Sequence, residues 1–547
     1  MNSRISTARR LALAAVTFAV ATGCASGESI INAGNDGTRP TTTGPGAGPD
    51  TTLPIGGTIP LGGTVPLVAS TVSLMPTTIP LVGATIPLPT AGGARGFAGS
   101  SRAAAPPDIA PCPVTALDEL DPADGPVEIT FWHAMTAATE EALVALTDEY
   151  NASQDRVHVT LANQNGYNEL TSKYFLSSES DRPEVVQMPE FMTQQMADAN
   201  AVIPAGACIQ AEGFDIEPFL DRALLAYQTG GIQWSMPFNA STPVLYYNRA
   251  MLEEAGLDPD DPPVSLEEFR AYADAIVESG AAPVGIAFDH GVNSGGGWFL
   301  EQWLARLGMP YADNQNGRAG RATQVVFNTP EVVEMLEFVQ AMVVDGVAVD
   351  VGDNAGATDV LFKLADASEP AAMGITTSGG LGIVISVLAS GQVPHLSVDD
   401  FGVGPLPGPS DTPGALVGGA SLYITRDHGD AEAAASWDFI KYLTTAESQS
   451  TWAAATGYVP IREDAAELDP LAQTYADDPR FRVAFDQLTA GSDDFSSVGP
   501  VLGPLQEIRE VTARMMATIF AGGDVEAALA DATDQANALI ADYNARN

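Results

Sequence analysis

Apolar residues along most of the chain recur with two different periods, which predict alternating strands and helices. The run 157–161 alternates apolar and polar residues, the period of two that is typical of a half-buried strand. Leu143 and Leu146 share one face of a predicted helix over 136–150. The other elements predicted in this way are strands over 127–132, 184–188 and 244–247 and a helix that begins near Tyr167. This alternation favours α/β layers around a mainly parallel sheet.

Two further helices are indicated by their capping residues. Ser265, with Glu268 three residues later, forms a capping box before an apolar-periodic stretch. The stretch 505–547 is predicted to be helical, with a break at Gly522–Gly523 and Asp524 as the next N-cap. Because no unit of about 20–50 residues recurs in this part of the chain, we do not expect a solenoid.

The first residues have the pattern of a cleaved export signal. A positively charged start precedes the apolar run 11–21, which is too short to span a bilayer. Ala21-Thr22-Gly23-Cys24 follows and resembles a bacterial lipobox, although Ala21 stands where Leu is usual. We predict a signal peptide over 1–23 and a lipid on Cys24, which would anchor an extracytoplasmic protein to the cell membrane. The alternative is an ordinary signal peptide with an incidental cysteine.

Residues 24–111 are rich in Gly, Pro and Thr and contain a recurring unit, Thr-Ile/Val-Pro-Leu. The unit occurs at 58–61, 64–67, 78–81 and 85–88. Proline at this frequency blocks helices and sheet ladders and favours extended backbone. We therefore predict a disordered or semi-extended tether between the membrane and the folded part. A glycosylated stalk stays open as an alternative, because threonine is abundant.

Composition and charge limit what the folded part can bind. The chain has 547 residues, 45% of them hydrophobic, enough for two lobes with buried cores. Its net charge of −45 repels phosphate backbones and anionic headgroups, which argues against nucleic acid or lipid surfaces as partners. Lysine occurs only at 173, 363 and 441. Any anion site must therefore be built locally from an arginine, hydroxyls and backbone N–H groups.

The motifs of common enzymes are absent from the sequence. None of the five histidines falls in an H-E-x-x-H pattern, and there is no P-loop or G-x-S-x-G elbow. Among 69 acidic residues, neighbouring carboxylates occur by chance and carry little weight for a glycosidase. We predict a binding protein that is not an enzyme and has no metal or cofactor. A secreted hydrolase and an acidic surface protein without a ligand are the alternatives from other classes.

Two cysteines, Cys112 and Cys208, follow the tether. In an exported protein, such a pair is more often a disulfide than a catalytic or metal site. A bond between them would fix the start of the folded part. Two free buried thiols are the alternative.

Four segments resemble the extracellular solute-binding proteins of ABC importers, a family that includes maltose-binding proteins and glycerol-3-phosphate-binding proteins. In chain order they are 131–135, 237–248 continued by 255–259, 418–422 and 456–461. The resemblance runs from about Val127 to the C-terminus. It implies a two-lobe, type II-like periplasmic-binding fold, with the ligand in a cleft between lobes joined by three crossings. The implied lobes are 112–239 plus 418–458 and 241–417 plus 460–547.

The resemblance also implies a ligand, glycerol-3-phosphate or a glycerophosphodiester such as glycerophosphocholine, delivered by a monomer to membrane permease subunits. Seven residues match the ligand positions of the family: Tyr167, Glu190, Ser241, Thr377, Gly419, Tyr458 and Arg509. The planar fork of Arg509 suits two phosphate oxygens, and Glu190 can accept hydrogen bonds from glycerol hydroxyls. An oligosaccharide-binding protein, with an aromatic cleft and no requirement for an anion, is the alternative within the family.

Each matched residue type also has an ordinary structural role. An arginine on a C-terminal helix is usually an ion-pair partner, and a tyrosine is more often part of a core or rim. One position departs from the family, because its cleft tryptophan falls near Ser294. We assign Trp132 and Trp298 to the core, so a Gly/Ser-rich loop would leave extra room beside the phosphate.

Overall fold

The computed structural model describes residues 111–547, apart from 122, 124, 354–357 and 493–494. The predicted signal peptide, Cys24 and the tether as far as residue 110 lie outside the described residues. Within the described part, no helix has both the length and the apolar composition needed to cross a membrane.

Thirteen strands are present in the described part of the chain. In chain order, β1 to β13 are Val127–His133, Val157–Asn163, Val185–Pro189, Val202–Ile203, Gln228–Thr229, Ile232–Gln233, Met236–Ser241, Pro243–Asn248, Val284–Phe288, Ala348–Asp350, Ala371–Thr377, Phe401–Gly404 and Gly418–Thr425. The first sheet has the order β2-β1-β3-β13-β4, and β7 also pairs with β13. The second sheet has the order β10-β9-β11-β8-β12, and β5 and β6 form a separate hairpin.

Helices connect and cover these strands. In chain order, α1 to α18 are Ala137–Ser153, Tyr167–Leu176, Thr193–Asp198, Ala205–Glu212, Asp221–Ala226, Arg249–Glu254, Leu266–Ser279, Gly295–Arg306, Asp313–Asn316 (a single turn with left-handed residues), Pro330–Val344, Asp359–Leu364, Leu381–Ala389, Asp430–Leu443, Ala446–Thr456, Leu471–Asp477, Val483–Ala490, Leu505–Phe520 and Val525–Arg546. The helices predicted near 136, 167, 265 and 505 are all present, within a few residues of their expected starts.

Most strands in both sheets point the same way, and each sheet contains one reversed strand. In the first sheet β1 runs parallel to β2 and β3, whereas β13 is antiparallel to β3, β4 and β7. In the second sheet β9 runs parallel to β10 and β11, whereas β8 is antiparallel to β11 and β12. The predicted α/β class is therefore confirmed, but the reversed strand in each sheet makes five of these nine pairings antiparallel, so the sheets are mixed rather than mainly parallel.

Local capping explains two of the predicted helix starts. At α7, Ser265 Oγ accepts from the backbone N–H of Glu268 (3.1 Å), while Glu268 Oε2 accepts from that of Ser265 (3.3 Å). At α18, Asp524 Oδ1 accepts from Ala527 N–H at 2.8 Å. These bonds satisfy N–H groups that have no partner inside the helix, so both capping predictions are confirmed.

The chain passes between the two sheets at closely spaced points. A single residue, Thr242, separates the end of β7 in the first sheet from the start of β8 in the second. The chain returns to the first sheet between β12 and β13. After α14, the backbone N–H of Val459 donates to Ala240 O at 2.7 Å, so a third segment lies beside the first passage. The residue limits of the two lobes remain predictions.

Cys112 and Cys208 form a disulfide between residues separated by 96 positions. Both are buried, Cys112 before β1 and Cys208 in α4. The bond therefore connects the segment just before β1 to α4, the helix that follows β4 in the chain.

Candidate functional site

A cleft of about 510 Å³ lies beside the passages between the two sheets. Its volume is in the range of pockets that hold small molecules. All seven residues predicted from the resemblance line it: Tyr167, Glu190, Ser241, Thr377, Gly419, Tyr458 and Arg509. The fold thus brings residues from five distant parts of the chain to one cavity. Their contact with a ligand remains a prediction.

A chain of buried amides orients Tyr167 at the first-sheet side of the cleft. Ala134 N–H donates to Gln187 Oε1 (2.8 Å), and Gln187 Nε2 donates to Asn239 Oδ1 (2.8 Å). Asn239 Nδ2 then donates to the hydroxyl oxygen of Tyr167 at 2.9 Å. The Tyr458 hydroxyl also hydrogen-bonds with Tyr167 and Asn239, so the two tyrosine hydroxyls and this amide form one network at the cleft. The sequence analysis missed Gln187 and Asn239, whose only signal is a polar side chain in a buried strand.

Tyr458 faces Tyr167 from the third passage. Its ring stacks on Trp452, with centroids 5.5 Å apart and planes 15° from parallel, and Trp452 in turn stacks on Phe238. Burial raises the pKa of both cleft tyrosines, so their hydroxyls stay protonated near neutral pH. Tyr167 and Tyr458 can therefore act as hydrogen-bond donors to a bound polyol or phosphate.

Arg509 also lines the cleft, and it lies between two carboxylates. Its Nη1 is 2.8 Å from Glu190 Oε1. Its Nε and Nη2 donate to the two oxygens of Glu301 at 2.7 and 2.8 Å. The guanidinium of Arg509 was predicted to bind a phosphate. Glu190 and Glu301 already accept from three of its five N–H donors, so two remain for a ligand. Glu301, which the sequence analysis did not select, does not line the cleft.

This cluster carries more negative than positive charge. Burial lowers the pKa of Arg509, but the carboxylates of Glu301 and Glu190 outweigh it and leave that pKa above its ordinary value. Burial raises the pKa of Glu190 despite the neighbouring Arg509, and the Glu301 charge adds to the increase. Among the described residues that line the cleft, Arg509 is the one base, whereas Glu169 and Glu190 are acidic.

Thr377 lies where β11 leads into α12. Its Oγ1 accepts from the backbone N–H of Gly379 at 3.2 Å, which caps the short 3-10 turn Ser378–Gly380. Tyr246 OH donates to the backbone oxygen of Thr377 at 2.9 Å and holds this end of the strand. The hydroxyl proton of Thr377 is therefore available to a ligand in the cleft.

Trp298 lies in the wall of the cleft, which corrects its assignment as a core residue alone. It is 8% exposed, and its Nε1 has no hydrogen-bond partner among the described residues. A Cβ at Gly418 would lie 2.4 Å from Cζ2 of this ring, so the ring needs glycine there. Position 298 is one helical turn after Ser294, on the same face of α8. This spacing was the sequence signal that could have placed the Trp298 ring in the cleft. Trp132, by contrast, lies in the core as predicted.

Replacing Gly419 with alanine should deform the second passage. Gly419 has φ +93°, and a Cβ there would lie 1.9 Å from the backbone oxygen of Asn239 on β7. Since that oxygen belongs to the paired strand, the backbone itself must shift, and we expect a loss of about 3 kcal/mol or more in the free energy of unfolding.

Gly230→Ala is the matched control for this variant. Gly230 also has a positive φ, +61°, but a Cβ there meets nothing within 4 Å. We expect it to cost only about 1–2 kcal/mol. Urea unfolding of both variants would measure the difference, and equal losses would contradict the steric argument.

Comparisons with known proteins agree with this architecture. The model of the bacterial extracellular solute-binding protein family matches residues 145–483, more than half of the chain. The sn-glycerol-3-phosphate-binding periplasmic protein UgpB of Rhizobium meliloti (strain 1021) is 29% identical over 434 residues, which cover 77% of this chain and 95% of that protein. UgpB of Salmonella typhimurium (strain LT2) is 28% identical over 424 residues, covering 75% and 92%.

Solved structures show the same fold. UgpB from Mycobacterium tuberculosis in complex with glycerophosphocholine superposes with a TM-score of 0.62 at 22% identity, covering 76% of this chain and 99% of that one. The cyclic alpha-maltosyl-1,6-maltose binding protein from Arthrobacter globiformis gives a TM-score of 0.62 at 23% identity, with the same coverage. The predicted two-lobe periplasmic-binding fold is therefore confirmed. Together with the family match over residues 145–483, this fold shows that the chain belongs to the bacterial extracellular solute-binding proteins of ABC importers.

Proposed function

We propose that the protein captures glycerol-3-phosphate or a glycerophosphodiester, such as glycerophosphocholine, for an ABC importer and performs no reaction on it. The observation that carries this proposal is the arrangement of one cleft. A buried arginine, a carboxylate and two tyrosine side chains line the same space. A small polyol phosphate has the matching division, because its anionic end needs a cation and its hydroxyls need donors and acceptors.

The relatives support the same class of ligand. Proteins named for binding sn-glycerol-3-phosphate align with more than three quarters of the chain, and one structural neighbour holds glycerophosphocholine. Capture would proceed by closure of the two lobes about the passages near Ser241, Gly419 and Tyr458, followed by release to permease subunits.

The lipid on Cys24 would keep the protein near that permease at the outer face of the cell membrane. Cys24→Ala should then release it from the membrane fraction, and unchanged fractionation would contradict the anchor.

An oligosaccharide is the second candidate ligand, and a specific observation favours it. Trp298, Tyr167 and Tyr458 present aromatic rings to the cleft, and rings of this kind can pack against sugar faces. The Arthrobacter globiformis neighbour is named for a maltose-type ligand. Such a ligand would not depend on Arg509 for charge neutralisation.

Titration calorimetry with glycerol-3-phosphate, glycerophosphocholine, glycerol and maltose distinguishes the candidates. We expect heat from at least one phosphorylated polyol and much weaker binding of glycerol and maltose. Tight binding of maltose, with no response to any phosphorylated polyol, would replace the proposal by the oligosaccharide function. Phosphorus NMR of the same mixtures after prolonged incubation tests the hydrolase alternative. We expect the ligand to remain intact, whereas its cleavage would support a hydrolase.

A further inference from the structure

We propose that Glu301 is a positioning residue that makes the cleft select singly charged phosphodiesters over doubly charged phosphomonoesters. This inference rests on the proposed function. Glu301 lies on α8 behind Arg509, and its side chain is only 2% exposed. It acts through Arg509, because it does not line the cleft itself.

The geometry gives Glu301 two effects on Arg509. Its two oxygens hold Nε and Nη2, so the guanidinium cannot rotate to turn that edge toward a ligand. The donors of Arg509 left for the cleft are therefore the remaining hydrogens of Nη1 and Nη2. Its carboxylate also places a second negative charge beside the single cation. The side chain of Arg509 is 4% exposed, and the ring centroid of Phe191 lies 5.1 Å from Arg509 Cζ. Water therefore screens the charges of Arg509 and Glu301 weakly.

The cluster has no surplus positive charge. One guanidinium faces the two carboxyl groups of Glu190 and Glu301, so its charge is already matched before any ligand enters. Tyr167 and Tyr227 also lie near Glu190, and because burial raises their pKa values they stay neutral and supply no charge to balance the carboxylates. A phosphodiester brings one charge to this site. A phosphomonoester brings close to two at neutral pH, and no second base lines the described cleft to meet the additional charge.

The two carboxylates differ in what a ligand can do to them. Glu190 lines the cleft and contacts Arg509 through a single oxygen, so an incoming phosphate can displace it, and its raised pKa favours its neutralisation. Glu301 is paired through both oxygens on the side of Arg509 that faces away from the lining. Glu301 therefore keeps its contacts with Arg509 when the ligand is bound, and it acts on every ligand that reaches Arg509.

The test compares glycerol-3-phosphate with glycerophosphoglycerol, which carries one negative charge, by calorimetry on the full chain. We expect the wild type to prefer the diester. Glu301→Gln removes the charge and keeps the shape, so the ratio of monoester to diester affinity should rise by about tenfold. Glu301→Asp keeps the charge, so the ratio should stay near that of the wild type even where both affinities fall. This ratio separates selection by charge from a loss of structure, which would weaken both ligands alike.

Glu184→Gln is the matched control, because Glu184 is a similarly enclosed carboxylate, 17% exposed and paired with His428 rather than with Arg509. Its ratio should equal that of the wild type. An unchanged ratio in Glu301→Gln, a wild type that prefers the monoester, or an altered ratio in Glu301→Asp would each overturn the inference. Should Glu301→Gln fail to fold, Glu301→Met, which also removes the charge at nearly the same side-chain length, supplies the ratio, and an unchanged ratio there would overturn the inference equally. A wild type that binds neither phosphate rejects the proposed function itself, whereas binding of both with no effect of Glu301 rejects this inference alone.

Discussion

Arg509→Ala is expected to weaken the binding of a glycerophosphate or glycerophosphodiester by about 30-fold or more. On a chain with a net charge of −45, a buried anion needs a nearby cation, and Arg509 is the one base among the described residues of the cleft lining. The same change leaves Glu190 and Glu301 buried without their partner. Breaking a buried ion pair in this way costs about 3–5 kcal/mol, so the variant should also unfold more readily.

Two further variants separate the loss of binding from the loss of stability. Arg509→Gln combined with Glu301→Gln replaces this charged pair by two amides, which should recover the part of the stability lost through Glu301, but none of the anion binding. Arg509→Lys should restore only part of the affinity, because a single ammonium cannot make the bidentate contact with Glu301. Calorimetry and thermal unfolding of the same preparations measure both effects. Full affinity in Arg509→Ala would show that the ligand is not held as an anion.

Replacing both Cys112 and Cys208 with alanine should lower the free energy of unfolding by about 4–5 kcal/mol. The bond closes a loop between residues 96 positions apart, and removing it restores the conformational entropy of that loop to the unfolded chain. Because neither cysteine lines the cleft, ligand affinity should change by less than about threefold.

Chemical unfolding with and without a reducing agent supplies the control for this prediction. The reducing agent should destabilise the wild type and leave the double variant unchanged. A difference of less than about 1 kcal/mol between the two proteins would mean that the unfolded chain gains little freedom when the bond is absent.

Local sequence patterns were sufficient for much of the fold. The alternation over 157–161 became β2, and the capping boxes and N-caps at Ser265 and Asp524 mark the starts of α7 and α18. These features depend on residues a few positions apart, so their physical causes are contained in a short window of sequence. The candidate cleft residues came from the resemblance, because no single residue among them has a pattern that distinguishes a ligand contact from a core or surface position.

The sequence by itself determined the α/β class and the positions of several strands and helices, and its resemblance to a family singled out Arg509 as the cation of an anion site. Only the tertiary structure decided what surrounds that arginine. Glu301 and Arg509 are 208 positions apart, and they meet because α8 and α17 pack together. Trp298 enters the cleft because Gly418, on a strand from the other sheet, leaves room for its ring. Periodicity records which face of an element is buried, whereas the partners of a buried charge or ring depend on which distant surfaces the packed core brings into contact.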